Sequence, residues 1–288
     1  MFNFWFLIYS YGLQVKEKYM ATIGFIGSGN MAEALIKGII RAGVYLPQDI
    51  FISDVLPDRL DMLVQKYGVK RAQDNGALAS VASTIILSVK PQILATVLEE
   101  IKTNVGKNSL IVSIAAGKRI AAITDALGDV PVVRVMPNTP ALVGEGASAL
   151  YANKKAKKKL PEVAKLFSAV GKAVVVDNED MIDAVTAVSG SGPAYYFLLM
   201  EEMIKAGIEM GLPPDVAKDL VLQTAKGAAM LAIEADKNGE SPAELRRKVT
   251  SPKGTTEAAL EVFAKGDLGG IINAAVKRAQ ARSKELSA

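Results

Sequence analysis

The sequence predicts an α/β protein: an N-terminal Rossmann domain with a doubly wound parallel sheet, followed by an all-α domain. Three observations predict it. From Thr22 to Asp177, short apolar runs alternate with amphipathic stretches, the pattern of repeated βαβ units. A glycine-bearing turn, Gly27-Ser28-Gly29, follows the first run directly. Beyond Asp177 strand signals stop, and Ala, Leu, Met, Glu and Lys recur with helical spacing as far as Leu286. A chain of 288 residues has room for two cores, since a single core stops growing near about 250 residues. The expected divisions are 20–178 for the Rossmann domain and 179–288 for the helical domain.

Taken in order, Ile23–Ile26 is a strand and 31–41 a helix; Ile50–Ser53 is a strand and Pro57–Tyr67 a helix. The run 84–89 is apolar almost throughout, as expected of a strand covered on both faces. A helix over 91–103 leads to a buried strand at 110–114, then to the helix Ile120–Leu127 and a strand at 132–135. Two further strands are expected at 148–151 and 173–176. In the second domain, Ser241-Pro242-Ala243-Glu244 has the form of a capping box with proline in the first turn. Gly207, Gly211 and Gly239 mark helix ends.

The first nineteen residues stand apart. They are aromatic and apolar and hold the only Trp. They lack the basic start and small-residue cleavage site of a signal peptide, and the stretch is short of the about 20 apolar residues that span a bilayer. Residues 1–19 are expected to be an upstream extension, with the working protein starting at Met20.

Composition removes several chemistries. There is no Cys and no His, so disulfides, thiolate or imidazole zinc sites and an imidazole general base are all excluded, and no metal site is expected. The net charge of +4 suits anionic cofactors and makes no case for nucleic acid. The lysine run within 154–159 is expected to be a solvated face. Neither a nucleic-acid nor a membrane partner is expected, and the location is expected to be cytoplasmic.

The strand Ile23–Ile26 runs into Gly27-Ser28-Gly29-Asn30-Met31-Ala32 and then into a helix. This is G-x-G-x-x-A in the setting the dinucleotide fingerprint requires. Gly27 permits the tight turn, Gly29 lets backbone approach a pyrophosphate, and Ala32 allows close helix–strand packing. The second strand ends at Ser53-Asp54, where the adenosine ribose is recognised. Asp54 there favours the ribose 2′-hydroxyl of NAD, whereas Ser53 and Arg59 would suit a 2′-phosphate; Arg59 serves equally well as an ordinary helix-surface residue. The residues alone leave the preference open. Ser88-Val89-Lys90-Pro91 and Ile114-Ala115-Ala116-Gly117 end the next strands and are placed to line the nicotinamide side.

Three more stretches narrow the family: Val135-Met136-Pro137-Asn138-Thr139-Pro140, Ala187-Val188-Ser189-Gly190-Ser191-Gly192-Pro193-Ala194-Tyr195, and Val249-Thr250-Ser251-Pro252-Lys253-Gly254-Thr255-Thr256. With Gly24-Phe25-Ile26-Gly27-Ser28-Gly29-Asn30-Met31 they resemble pyrroline-5-carboxylate reductases in identity, order and spacing, over residues 20 to about 286. The resemblance implies reduction of 1-pyrroline-5-carboxylate to L-proline and a helical domain that interleaves with a second subunit, as a homodimer or an oligomer of dimers. It places NADP(H) first as cofactor and NAD(H) second. Carried over by position, Gly27, Ser28, Gly29, Asn30, Met31, Ser53, Asp54, Asn75, Ser88, Val89, Lys90, Pro91, Ile114, Ala115 and Ala116 would contact the cofactor. Glu179, Ser189, Gly190, Ser191, Gly192, Gly254, Thr255 and Thr256 would bind substrate, with Thr256 as the catalytic group. Lys253 departs from the family, which has glycine there; Lys253 is either strained at positive φ by about 1 kcal/mol or lends its ammonium to the substrate carboxylate.

The implied chemistry suits a chain without His or Cys. A protonated imine is already electrophilic, so the protein's task is positioning. The Thr256 hydroxyl can hold the ring nitrogen, unless it serves as a helix N-cap. Glu179 is either a substrate contact or a first-turn acid that stabilises a helix. Tyr195 and Tyr196 are expected to be core or subunit contacts. The runner-up activity is that of a 3-hydroxyacid dehydrogenase or another cyclic-imine reductase. In the former a lysine follows the glycine-rich stretch; here the first is Lys205.

Overall fold

The structure, a computed structural model, describes residues 22–287; the expected extension over 1–19 lies outside them. The elements run β1 (Ile23–Ile26), α1 (Asn30–Arg41), β2 (Ile50–Ser53), α2 (Pro57–Tyr67), β3 (Lys70–Arg71), α3 (Asn75–Val81), β4 (Thr84–Leu87), α4 (Leu94–Ile101), β5 (Leu110–Ser113) and α5 (Ile120–Leu127). They continue with β6 (Val132–Met136), β7 (Gly146–Ala152), α6 (Leu160–Ser168), β8 (Gly171–Val175), α7 (Met181–Val185), α8 (Gly192–Glu209), α9 (Pro214–Asp236), α10 (Pro242–Lys248), α11 (Thr255–Lys265) and α12 (Leu268–Ser287). Two compact units result: one runs to Gly190 and takes in the chain again from Ser283, and the other is Ser191–Arg282.

The first unit holds one sheet of eight strands in the order β3-β2-β1-β4-β5-β6-β7-β8. β1 pairs in parallel with both β2 and β4, so strand order reverses at β1, the switch point where such sheets bind ligands. Ile26 is level with Ser53 on one side and with Leu87 on the other, and Leu87 is level with Ser113. That register brings the residues following β1, β2, β4 and β5 to one rim.

The expected strands at 148–151 and 173–176 form as β7 and β8, but β7 runs antiparallel to β6. The connection over 137–145 carries only a 3₁₀ turn, and a parallel return needs a crossover of about a dozen residues. β8 then follows β7 in parallel through α6. β3 and α3 are additions to the expected elements: β3 is two exposed residues, and α3 is only seven residues, started by Asp74, whose carboxylate accepts the Ala77 amide.

Helices cover both faces. One core layer joins Ile23 and Phe25 to Leu35, Ile36, Leu63 and Phe167; the other joins Ile26, Ile85 and Leu87 to Leu78, Leu98 and Ile123. Each fully buried Leu, Ile or Phe contributes about 1.5–3 kcal/mol. Gly24 is required by this packing, because a Cβ there would lie 2.4 Å from Leu78. In the second unit the capping box forms: Ser241 accepts the Glu244 amide and Glu244 accepts the Ser241 amide. Among the described residues no helix is long and apolar enough to cross a membrane.

Candidate active site

The glycine turn sits at the switch-point rim. Gly27 has φ +90 and its amide donates to the Ser53 carbonyl at 2.8 Å, while the Ser88 amide donates to Ile26 at 2.8 Å. A Cβ on Gly27 would come within 2.5 Å of the Ser88 carbonyl oxygen, so only glycine fits both the backbone and the space. Around Gly29 the reverse holds: an added Cβ meets nothing within 4 Å. Gly29 is the N-cap of α1 and supplies no side-chain cap; the first-turn amides are left for a ligand anion. Ser28 Oγ is buried without a hydrogen-bond partner. An uncapped helix start, open space at Gly29 and an orphaned hydroxyl together fit a dinucleotide pyrophosphate.

At the ribose end, Asp54 Oδ2 accepts the Ser28 amide at 2.6 Å and Oδ1 accepts the Leu56 amide at 3.1 Å. Arg59 is no free surface residue. Its Nε donates to the Ser28 carbonyl at 2.7 Å and a terminal nitrogen pairs with Glu33 of α1 at 2.6 Å. Glu33 also accepts from Lys66 Nζ and Tyr67 Oη, each at 2.9 Å. Burial opposes the charge on Glu33, but the bonds from Lys66, Tyr67 and Arg59 outweigh it and lower its pKa to about 2.

Further along the rim, Ser88, Val89 and Pro91 are half-buried and Lys90 is exposed. The Ile114 amide donates to Leu87 at 3.1 Å, holding Ile114, Ala115 and Ala116 beside them. Asn75 starts α3, and its carboxamide donates to Glu100 of α4 at 2.6 Å, so that group faces the α3–α4 groove.

Two side chains that sequence reasoning left without a role organise the approach to the 189–192 turn. Asn138 donates to the Ser189 carbonyl at 3.1 Å and accepts the Ala147 amide at 2.8 Å, tying the segment to the start of β7. Thr186–Gly190 is a π-helical turn, a local irregularity frequent at functional sites. Gly190 packs against Met136, whose methyl would lie 2.6 Å from an added Cβ. Ser191 and Gly192 open α8 in the second unit.

The Glu179 carboxylate is turned to elements other than the helix it precedes. Its Oε1 accepts the Ile120 amide at the first residue of α5 at 2.8 Å and pairs with Arg134 of β6 at 3.0 Å. The Arg134 side chain is only 3% exposed, and Arg119 adds an ion pair to the neighbouring Asp180 at 2.6 Å. A lone Arg within the apolar run Val132–Met136 was the sequence signal for a buried acidic partner.

In the second unit, Gly254 is the N-cap of α11, which places Thr255 and Thr256 as its first two residues. Thr256 is half-buried and, as the second residue of α11, is not its N-cap. Lys253 has φ 61, the left-handed conformation that glycine adopts freely. Its amide donates to Glu257 at 2.6 Å, which fastens the strained residue to the helix.

Comparison with known proteins decides the family. Residues 179–286 match the family model described as pyrroline-5-carboxylate reductase dimerisation, and 22–117 match that of NADP oxidoreductase, coenzyme F420-dependent. A pyrroline-5-carboxylate reductase of Pseudomonas aeruginosa is 45% identical over 267 residues, 92% of this chain and 96% of the relative. The chain belongs to the pyrroline-5-carboxylate reductase family. Among solved family structures, that from Coxiella burnetii is 39% identical with a TM-score of 0.88, covering 93% of this chain and 99% of its own. That from Plasmodium falciparum, solved with NADP bound, is 31% identical with a TM-score of 0.82, covering 93% and 98%. Family membership makes the chain an NAD(P)H-dependent oxidoreductase and disfavours the 3-hydroxyacid dehydrogenase alternative.

Proposed function

We propose that this chain reduces 1-pyrroline-5-carboxylate to L-proline with a hydride from NAD(P)H. The observation that carries the proposal is the rim after β1, β2, β4 and β5, where a turn built only for glycine meets an uncapped helix start. The nicotinamide supplies hydride when bound. The amides of Gly29, Asn30 and Met31 hold the pyrophosphate, and residues 88–91 and 114–116 border the nicotinamide. Ser189, Gly190, Ser191 and Gly192, with Gly254 and Thr255, hold the substrate carboxylate through backbone amides and hydroxyls. The Thr256 hydroxyl bonds the ring nitrogen, orienting the C=N bond so that hydride reaches the imine carbon, which becomes C5 of proline, while the nitrogen carries the proton. Glu179 acts through Arg134 and Ile120, as a positioning residue for the segment that leads to the turn.

The functional unit is a homodimer, for which the exposed apolar residues of α8 and α9 argue; Tyr196, Phe197, Leu220 and Met230 are all exposed within the chain. Its location is cytoplasmic. The test is loss of absorbance of NADH or NADPH on adding pyrroline-5-carboxylate, with a 3-hydroxyacid and the oxidised cofactor as control. Turnover of the imine alone is expected; turnover of the hydroxyacid alone overturns the proposal. Thr256→Ala is expected to lower kcat roughly 10–100-fold, the loss of a hydrogen bond to a charged group, and to leave the cofactor Kd unchanged.

A further inference from the structure

The family resemblance places NADP(H) first, yet the side chains at the ribose end of this chain are arranged for the opposite choice. A 2′-phosphate needs an uncommitted cation and room for two negative charges. Asp54 stands at the carboxyl end of β2 with both carboxylate oxygens fixed by backbone amides, Ser28 at 2.6 Å and Leu56 at 3.1 Å. It cannot swing away without giving up both bonds. A fixed anion at this point of a Rossmann sheet accepts a ribose hydroxyl and repels a phosphate.

Arg59 is the residue that would answer the phosphate, and its charge is already paired with Glu33. Its Nε is bound to the Ser28 carbonyl and its terminal nitrogen to Glu33, at 2.7 and 2.6 Å. Its side chain is 22% exposed, so the pair is sheltered from competing water. Lys66 is bound to the same carboxylate at 2.9 Å, so Glu33 gathers both cations. Glu33 itself stays ionised throughout the neutral range, its pKa lowered to about 2 by its partners against the cost of burial.

We propose that Asp54, fixed on the glycine turn, and Glu33, by sequestering Arg59, make this reductase select NADH over NADPH. The proposal rests on the dinucleotide-binding reading of the same turn and reverses the expectation of NADP(H). It assigns Glu33, a residue of α1 that need not touch the cofactor, a positioning role in specificity.

Calorimetric titration tests it without turnover, using NADH and NADPH and, as probes without nicotinamide, ADP-ribose and 2′-phospho-ADP-ribose. The full-length protein is expected to bind NADH and ADP-ribose at least tenfold more tightly than their 2′-phosphorylated counterparts. Asp54→Ser should cut that ratio tenfold or more. Glu33→Gln, which frees Arg59, should raise NADPH affinity several-fold and shrink the preference, most at low salt. Equal or tighter binding of NADPH by the unaltered protein overturns the selectivity while leaving the dinucleotide site intact. Binding of none of the four probes by folded protein overturns the site as well. An unchanged ratio in both variants removes Asp54 and Glu33 from the choice.

Discussion

The two compact units differ in how much of their apolar surface they close within one chain. In the first, Phe25, Ile36, Leu63, Ile85 and Phe167 are all essentially inaccessible, and both sheet faces are roofed by helices. In the second, Phe197 is 59% exposed, and Leu199, Leu222, Leu231 and Ile271 also face outward. Burying such side chains contributes about 1.5–3 kcal/mol each, and the helical unit leaves that contribution unused within one chain, which is the ground for the homodimer proposed above. The cofactor rim lies within the first unit; the proposed substrate loops belong partly to the unit whose apolar residues stay exposed within one chain.

The largest expected effect sharpens this contrast at the helical surface. Phe197→Glu should convert the proposed dimer to monomer in analytical ultracentrifugation and abolish reductase activity, while dinucleotide binding persists. A fully active monomer would break the contrast.

Within the first unit, Glu179→Ala leaves the Arg134 guanidinium buried without its carboxylate and the Ile120 amide without its acceptor. The expected loss is about 3–5 kcal/mol of unfolding free energy, the cost of breaking a buried pair from one side. Urea titration measures it; a change under about 1 kcal/mol would leave Glu179 as a substrate contact and no anchor.

Glu33 predicts a smaller, pH-dependent effect. Its pKa is lowered from 4.5 to about 2 in the folded chain. A depressed carboxylate stabilises above its unfolded value, and the stabilisation is lost as pH falls from about 4.5 toward 2. Its full size is on the order of 3 kcal/mol. The stability difference between the natural chain and Glu33→Gln should therefore shrink as pH is lowered through that window. A constant difference would contradict the Glu33 cluster.

What was legible in the sequence follows from the same physics. Buried parallel strands announce themselves as continuous apolar runs, so β1, β4 and β5 are plain, and the G-x-G-x-x-A turn needs no tertiary information. β3 is invisible because two exposed residues, Lys70 and Arg71, carry no pattern. The reversal of β7 depends on the short connection before it, and alternation alone does not register direction. The roles of Glu179 and Asn138 come from contacts across 45 and 51 residues of chain. Only the Arg134 charge inside a strand hinted at the first. The positive φ of Lys253 was one of the two readings that the resemblance allowed, and its fastening to Glu257 was not foreseeable.

The most direct test of the reductase assignment follows the hydride itself. Purified protein is given 1-pyrroline-5-carboxylate and cofactor deuterated at nicotinamide C4, and the product is examined by NMR. Proline bearing a single deuterium at C5 is the predicted result. Deuterium elsewhere in the product, or unlabelled proline formed with either face of the cofactor deuterated, would contradict the account.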